Sequence, residues 1–145
     1  MKSKVKKPHE KESEIKKYLN KKTSVNDDIP TCFNISLKHF DSEQSDSFED
    51  WQNAAFLSAA LNVLTGYCKR PLREQVSKTF KIYGDFPPKD KTIYTYPKHV
   101  PEDAEWARIH IDGTHIVAGH VFGDTFFIVF LDSKHQFYIS GLKHT

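Results

Sequence analysis

"WARIHIDGTHIVAGHVFGDTFFIVFLDSKHQFYI", residues 106–139, carries the strongest strand signal in the chain. In "WARIHI", Trp106, Arg108 and His110 share one face and Ile109 and Ile111 the other, the period of a half-buried strand. Asp112-Gly113 follows, the pair favoured in a two-residue type I′ hairpin turn. "HIVAGHV" then places His115, Val117 and Gly119 on one face and Ile116, Ala118 and His120 on the other. After a second tight turn at Gly123-Asp124, "TFFIVFL" is an almost unbroken apolar run, read as a central strand. "DSK" turns the chain once more into "HQFYI", expected to be a last strand. Together these runs predict an antiparallel β-meander.

Further towards the N-terminus the period changes. "FEDWQNAAFLSAALNVLTGY" repeats apolar residues at helical spacing (Phe48, Trp51, Ala55, Ala59, Leu61, Leu64) and predicts one helix, opened by Ser47 with Asp50 three residues on and stopped by Gly66. A second helix is expected from Pro71, turning Leu72, Val76 and Phe80 inward before Gly84. "FNISLKHF" alternates Phe33, Ile35 and Leu37 against Asn34, Ser36 and Lys38, an N-terminal strand. "DFPPKDKTIYTYPKHVPED" holds four prolines and reads as a long irregular connection or flap. The resulting fold class is α+β: an antiparallel meander with one or two N-terminal helices on one face, the other face free to bind.

The 145 residues suit a single domain, residues 31–145, behind a basic flexible tail, residues 1–30. Residues 1–22 carry nine lysines and three glutamates, a net +6, so a total of +2 leaves the rest at about −4. Such an arm attracts phosphate or an acidic protein surface, or is simply a solvated tail. No apolar run is long enough to cross a bilayer, and two cysteines are too few for a disulfide scaffold. A cytoplasmic, reduced setting is expected.

The titratable residues of the meander invite chemistry. No HExxH or paired CxxC motif and no His-x-His beside a carboxylate set is present, so neither a metal nor another cofactor is expected. Cleaving RNA without a metal needs a base for the 2′-hydroxyl, an acid for the leaving 5′-oxygen and cations for the phosphate. Arg108, His110 and His115, with His135 or Tyr138, supply those types; histidines decorating a polar sheet face are the plainer alternative.

Residues 104–139 resemble the C-terminal meander of RelE/YoeB-type bacterial toxins, in the RelE/ParE superfamily: an aromatic–x–Arg strand, a tight turn, a strand opened by a basic residue, an apolar strand, and a basic-aromatic end. The order of elements extends the likeness back to about residue 33. The resemblance implies a RelE-like toxin of a type II toxin–antitoxin system. Its activity would be that of a metal-independent endoribonuclease, a hydrolase that binds and cuts messenger RNA, at the ribosome in many members, and is held by a cognate antitoxin. By the same likeness Arg108 and Lys134 would contact RNA phosphate, and His115, His135 and Tyr138 would be catalytic; His110, on the face of Arg108, is expected to join the phosphate contacts. His115 falls where many members carry arginine, and the chain continues past Tyr138. ParE-type relatives poison gyrase on the same fold, so the alternative is a non-catalytic protein-interaction module of a toxin–antitoxin or phage-related pair.

Overall fold

The structure, a computed structural model, describes residues 32–139; the lysine-rich tail and the segment after Ile139 lie outside the described residues. Among these, five strands form one sheet: β1 (Asn34–Ser36), β2 (Phe80–Gly84), β3 (Glu105–His110), β4 (Ile116–Phe122) and β5 (Thr125–Asp132), in the order β1-β5-β4-β3-β2. The chain is α+β as expected, but the sheet is mixed. β2 to β5 run antiparallel, whereas β1 lies parallel to β5, with Ile35 beside Phe126. Beyond β1 the chain stays with β5: Asp41 N donates to Val129 O at 2.9 Å and Asp46 N to Leu131 O at 3.0 Å.

The expected single helix is two, α1 (Phe48–Asn53) and α2 (Leu57–Tyr67). Ser47 caps α1 through its Oγ, which accepts from Asp50 N at 2.9 Å. α1 ends in a Schellman motif. Ala55 takes the left-handed conformation (φ 67°), Phe56 N donates to Trp51 O and Ala55 N to Gln52 O, and the rings of Phe56 and Trp51 meet at 6.4 Å. The apolar contact holds Ala55 in a conformation that glycine would adopt more cheaply. Gly66, read as a stop, lies inside α2.

The second expected helix is absent. Only one 3₁₀ turn, Arg73–Gln75, forms there, and Phe80–Gly84 is β2, paired with β3. "HQFYI" is not a strand either. The Asp132 carboxylate accepts from the backbone N–H of Lys134, Gln136 and Phe137, at 3.3, 2.7 and 2.7 Å, and coils the segment with His135 at φ 56°. Asp112-Gly113 does not make a two-residue turn. Ile111 N bonds His115 O at 2.8 Å, so three residues intervene, and Asp112 Oδ1 accepts from Thr114 N and His115 N. The turn at Gly123 does form, with Gly123 at φ 62° between the paired Phe122 and Thr125.

Both faces of the sheet are covered, which corrects the expectation of a free face. One face packs Trp51, Ala60, Leu64 and Leu72 on Ala107, Ile109, Val117 and Phe126. On the other, the irregular 85–104 connection and the C-terminal segment bring Tyr94, Val100 and Phe137 onto Trp106, Ile116, Ala118 and Phe130. A β-bulge allows both cores: Ala118 pairs with Phe130 and Gly119 with Ile128, so Val129 is extra.

Candidate functional site

The strands and their covering segment place most of the expected site residues at one corner of the sheet. In the β2–β3 register Lys81 stands opposite Arg108. Two cations paired across strands repel each other, and no acidic side chain bridges them among the described residues. Arg108 is fixed by Nε donating to the Tyr83 hydroxyl at 3.2 Å and Nη1 donating to Lys78 O at 3.0 Å. Tyr83 stacks on Tyr138 at 4.7 Å, and Lys81 Nζ sits 5.3 Å from the Tyr83 ring centre. Burial raises the Tyr83 hydroxyl above its ordinary range, with Arg108 opposing. Two residues along β3 from Arg108, the His110 ring meets that of His135 at 5.0 Å.

His110 is oriented for use. Its Nδ1–H donates to Asp112 O at 3.2 Å, which leaves Nε2 as the unprotonated nitrogen. Partial burial, with Arg108 and His135 nearby, holds it below the usual imidazole range and so neutral at pH 7, although Asp112 O pulls the other way. His135 owes its position to the coil that Asp132 ties. Lys134 is exposed on the same coil.

His115 is the exception. It opens β4 on the helix side, 9% exposed, with Phe56 at 3.6 Å and Trp51 at 5.6 Å between ring centres. Its Nδ1–H donates to Asp112 Oδ1 at 2.9 Å. With the backbone N–H groups of His115 and Thr114, which bond the same oxygen, it holds Asp112 down to about 2. His115 is therefore part of the helix packing and lies across the sheet from Arg108 and His110. The expected two-residue turn would set His115 opposite His110 on one face; the three-residue turn shifts the register by one, so that Ile116 pairs with His110 and His115 turns to the other face.

A second feature was only half legible in the sequence. A cleft of about 540 Å³ at the β4–β5 hairpin is lined by His39, Arg73, Pro101, Asp103, Glu105, His120, Phe122 and Phe127 among others. His39 comes from the polar loop after β1 and His120 from the face alternation assigned to it. Their rings share a hydrogen bond, Nδ1 to Nε2, at 2.9 Å, and both stack on Phe127. Burial lowers His120 to about 4 and also lowers His39. No group of three or more His, Cys, Asp or Glu side chains suited to a metal occurs among the described residues, and none of their helices is long and apolar enough to cross a membrane.

Comparison with protein-family models, curated proteins and solved structures gives no match.

Proposed function

We propose that this chain is a RelE-like, toxin-type RNA-binding protein that cuts the RNA backbone at the corner formed by Lys81, Arg108, His110, His135 and Tyr138. The observation that carries the reading is the opposed, unneutralised pair Lys81 and Arg108 beside two imidazoles 5.0 Å apart. A phosphodiester placed there relieves the cation–cation repulsion and meets a base and an acid at once. His110 Nε2 takes the 2′-hydroxyl proton and the 2′-oxygen attacks phosphorus. His135, protonated, gives its proton to the leaving 5′-oxygen, and a 2′,3′-cyclic phosphate results. Arg108 and Lys81 hold the charge that builds on the phosphoryl oxygens, and Tyr138, stacked on Tyr83, walls the site. The sequence of elements, a strand and two helices before the meander, supports the toxin-family part of the proposal. A cognate antitoxin and action at the ribosome belong to that part, and the lysine-rich tail would add salt-dependent affinity.

The test is induction of wild type, His110→Ala and His135→Ala in a bacterial host, with growth and messenger RNA integrity scored, alongside cleavage by the purified proteins. Either histidine variant should lose roughly 10²-fold or more of the cleavage rate, while Lys81→Ala and Arg108→Ala should each weaken RNA binding and lower its salt dependence by about one counterion. Intact RNA with wild type would sink the nuclease. Growth arrest that persists in both histidine variants with intact RNA would favour the protein-interaction reading, to which the outer edge of β2, the last strand of the sheet, lends a surface.

A further inference from the structure

The cleft beside the β4–β5 hairpin plays no part in the proposed chemistry. Its volume, about 540 Å³, falls in the range of small-molecule sites. Three properties define what it can hold.

The first is charge. Arg73 is engaged by Glu105, with Nη2 to Oε1 at 2.8 Å and Nη1 to Oε2 at 3.4 Å. With that pair neutralised, Asp103 leaves the lining acidic by one charge. A phosphate group finds no free cation here, and the occupant is uncharged or carries its charge outside.

The second is hydrogen bonding. His39 and His120 share one proton across their 2.9 Å contact, and each neutral ring owns one N–H. Whichever tautomer holds, the two outer nitrogens of the pair present one donor and one acceptor. The outer nitrogen of His120, Nδ1, bonds nothing among the described residues, and it is not sealed from the cleft as Trp106 Nε1 is sealed in the core. His99 steadies the pair, its Nε2–H donating to His39 O at 2.7 Å.

The third is shape. Phe122, 79% exposed at the hairpin tip, Val121, Phe127 and Pro101 line the cleft with apolar surface suited to a flat ring.

We infer that this cleft is a pocket for an unstacked nucleobase, a flat uncharged heterocycle whose edge offers the donor and acceptor that the paired histidines complement. The choice of a nucleobase rests on the RNA reading. His120 sits opposite Trp106 on the face that also carries His110, and Trp106 is four residues from His110 along β3, roughly 13 Å at about 3.3 Å each. One single strand reaches both places, its base in the cleft and its phosphate at the corner.

The experiment is a titration of the full chain with adenosine, guanosine, cytidine, uridine and their 5′-monophosphates, following the histidine ring resonances by NMR. At least one nucleoside should shift the His39 and His120 rings saturably, and its monophosphate should bind no more tightly, because the lining has no free cation. His120→Phe should weaken binding by about tenfold or more. His39→Leu, a change at a partly exposed loop position, should do the same if the core variant fails to fold. Ring shifts that are absent with all four nucleosides, that survive both substitutions, or that need the phosphate, would overturn the pocket. Arg108→Ala and His135→Ala separate the two readings, since they should weaken RNA binding and slow RNA cleavage respectively and leave nucleoside binding intact. Nucleoside binding without any cleavage of RNA would keep the pocket and remove the nuclease, and cleavage without nucleoside binding would do the reverse.

Discussion

His120 shows how one buried side chain carries the molecule's acid sensitivity. It is 3% exposed, its one side-chain hydrogen bond among the described residues goes to another imidazole, and burial lowers it from 6.5 to about 4. A histidine depressed in the folded state stays neutral there while the unfolded chain binds a proton, so stability is full above about 6.5 and falls as pH drops towards 4. The change is on the order of 3 kcal/mol at most. Lys38, His99, Arg73, Asp103 and Glu105 line the same cleft or act on His39, and His39 titrates in the same direction. Urea unfolding at pH 7, 5.5 and 4.5 should give a steeper loss for wild type than for His120→Phe; parallel losses would refute the assignment. The sequence hinted at part of this, since alternation along β4 puts His120 on the opposite face from His115. Its partner could not be foreseen. His39 belongs to a stretch read as an alternating strand but lies in the loop after β1, 81 residues away, and only tertiary contact pairs them.

At the scale of elements, β3, β4 and β5 were legible because their apolar residues alternate or run unbroken between turn residues. β2 was not. Leu72, Val76 and Phe80 recur four apart by coincidence, while Phe80, Ile82 and Gly84 also recur two apart, and pairing with β3 decides for the strand. The break between α1 and α2 hid for a similar reason, since a Schellman motif normally announces itself by glycine and here uses Ala55. Gly119 is the opposite case, a glycine whose role appears only in the folded sheet. A Cβ there would come 1.8 Å from Phe127 O, because the bulge at Val129 brings the β5 backbone over β4. Gly119→Ala must push the two central strands apart. We expect a loss of about 3 kcal/mol or more, read as a lower urea midpoint, whereas a change under about 0.5 kcal/mol would mean the strands yield freely.

For the whole molecule, the consequential misreading was the free face. Irregular chain has no period, so Tyr94, Val100 and Phe137 could not be recognised as a layer, yet they seal a second core over Trp106 and Phe130. The two proposed sites are thereby confined to the borders of that layer: the corner at His110 and His135 and the cleft at His120. Phe137 is the keystone of the layer. It is fully buried, its ring meets those of Trp106, Phe130, Tyr94 and Phe86, and its N–H is one of three that the Asp132 carboxylate gathers. Asp132 is 1% exposed and burial raises it, so the bonds that its carboxylate accepts offset only part of the cost of burying it. Phe137→Ala should cost about 3–5 kcal/mol and admit water to Trp106. Because the coil that Asp132 ties also carries His135, the same variant should reduce RNA cleavage even at temperatures where it remains folded. Trp51 lies under the opposite face, so a tryptophan emission shift in a Trp51→Phe background reports Trp106 alone. Unchanged emission and unchanged stability would mean that the segment after β5 rests on the sheet without holding it.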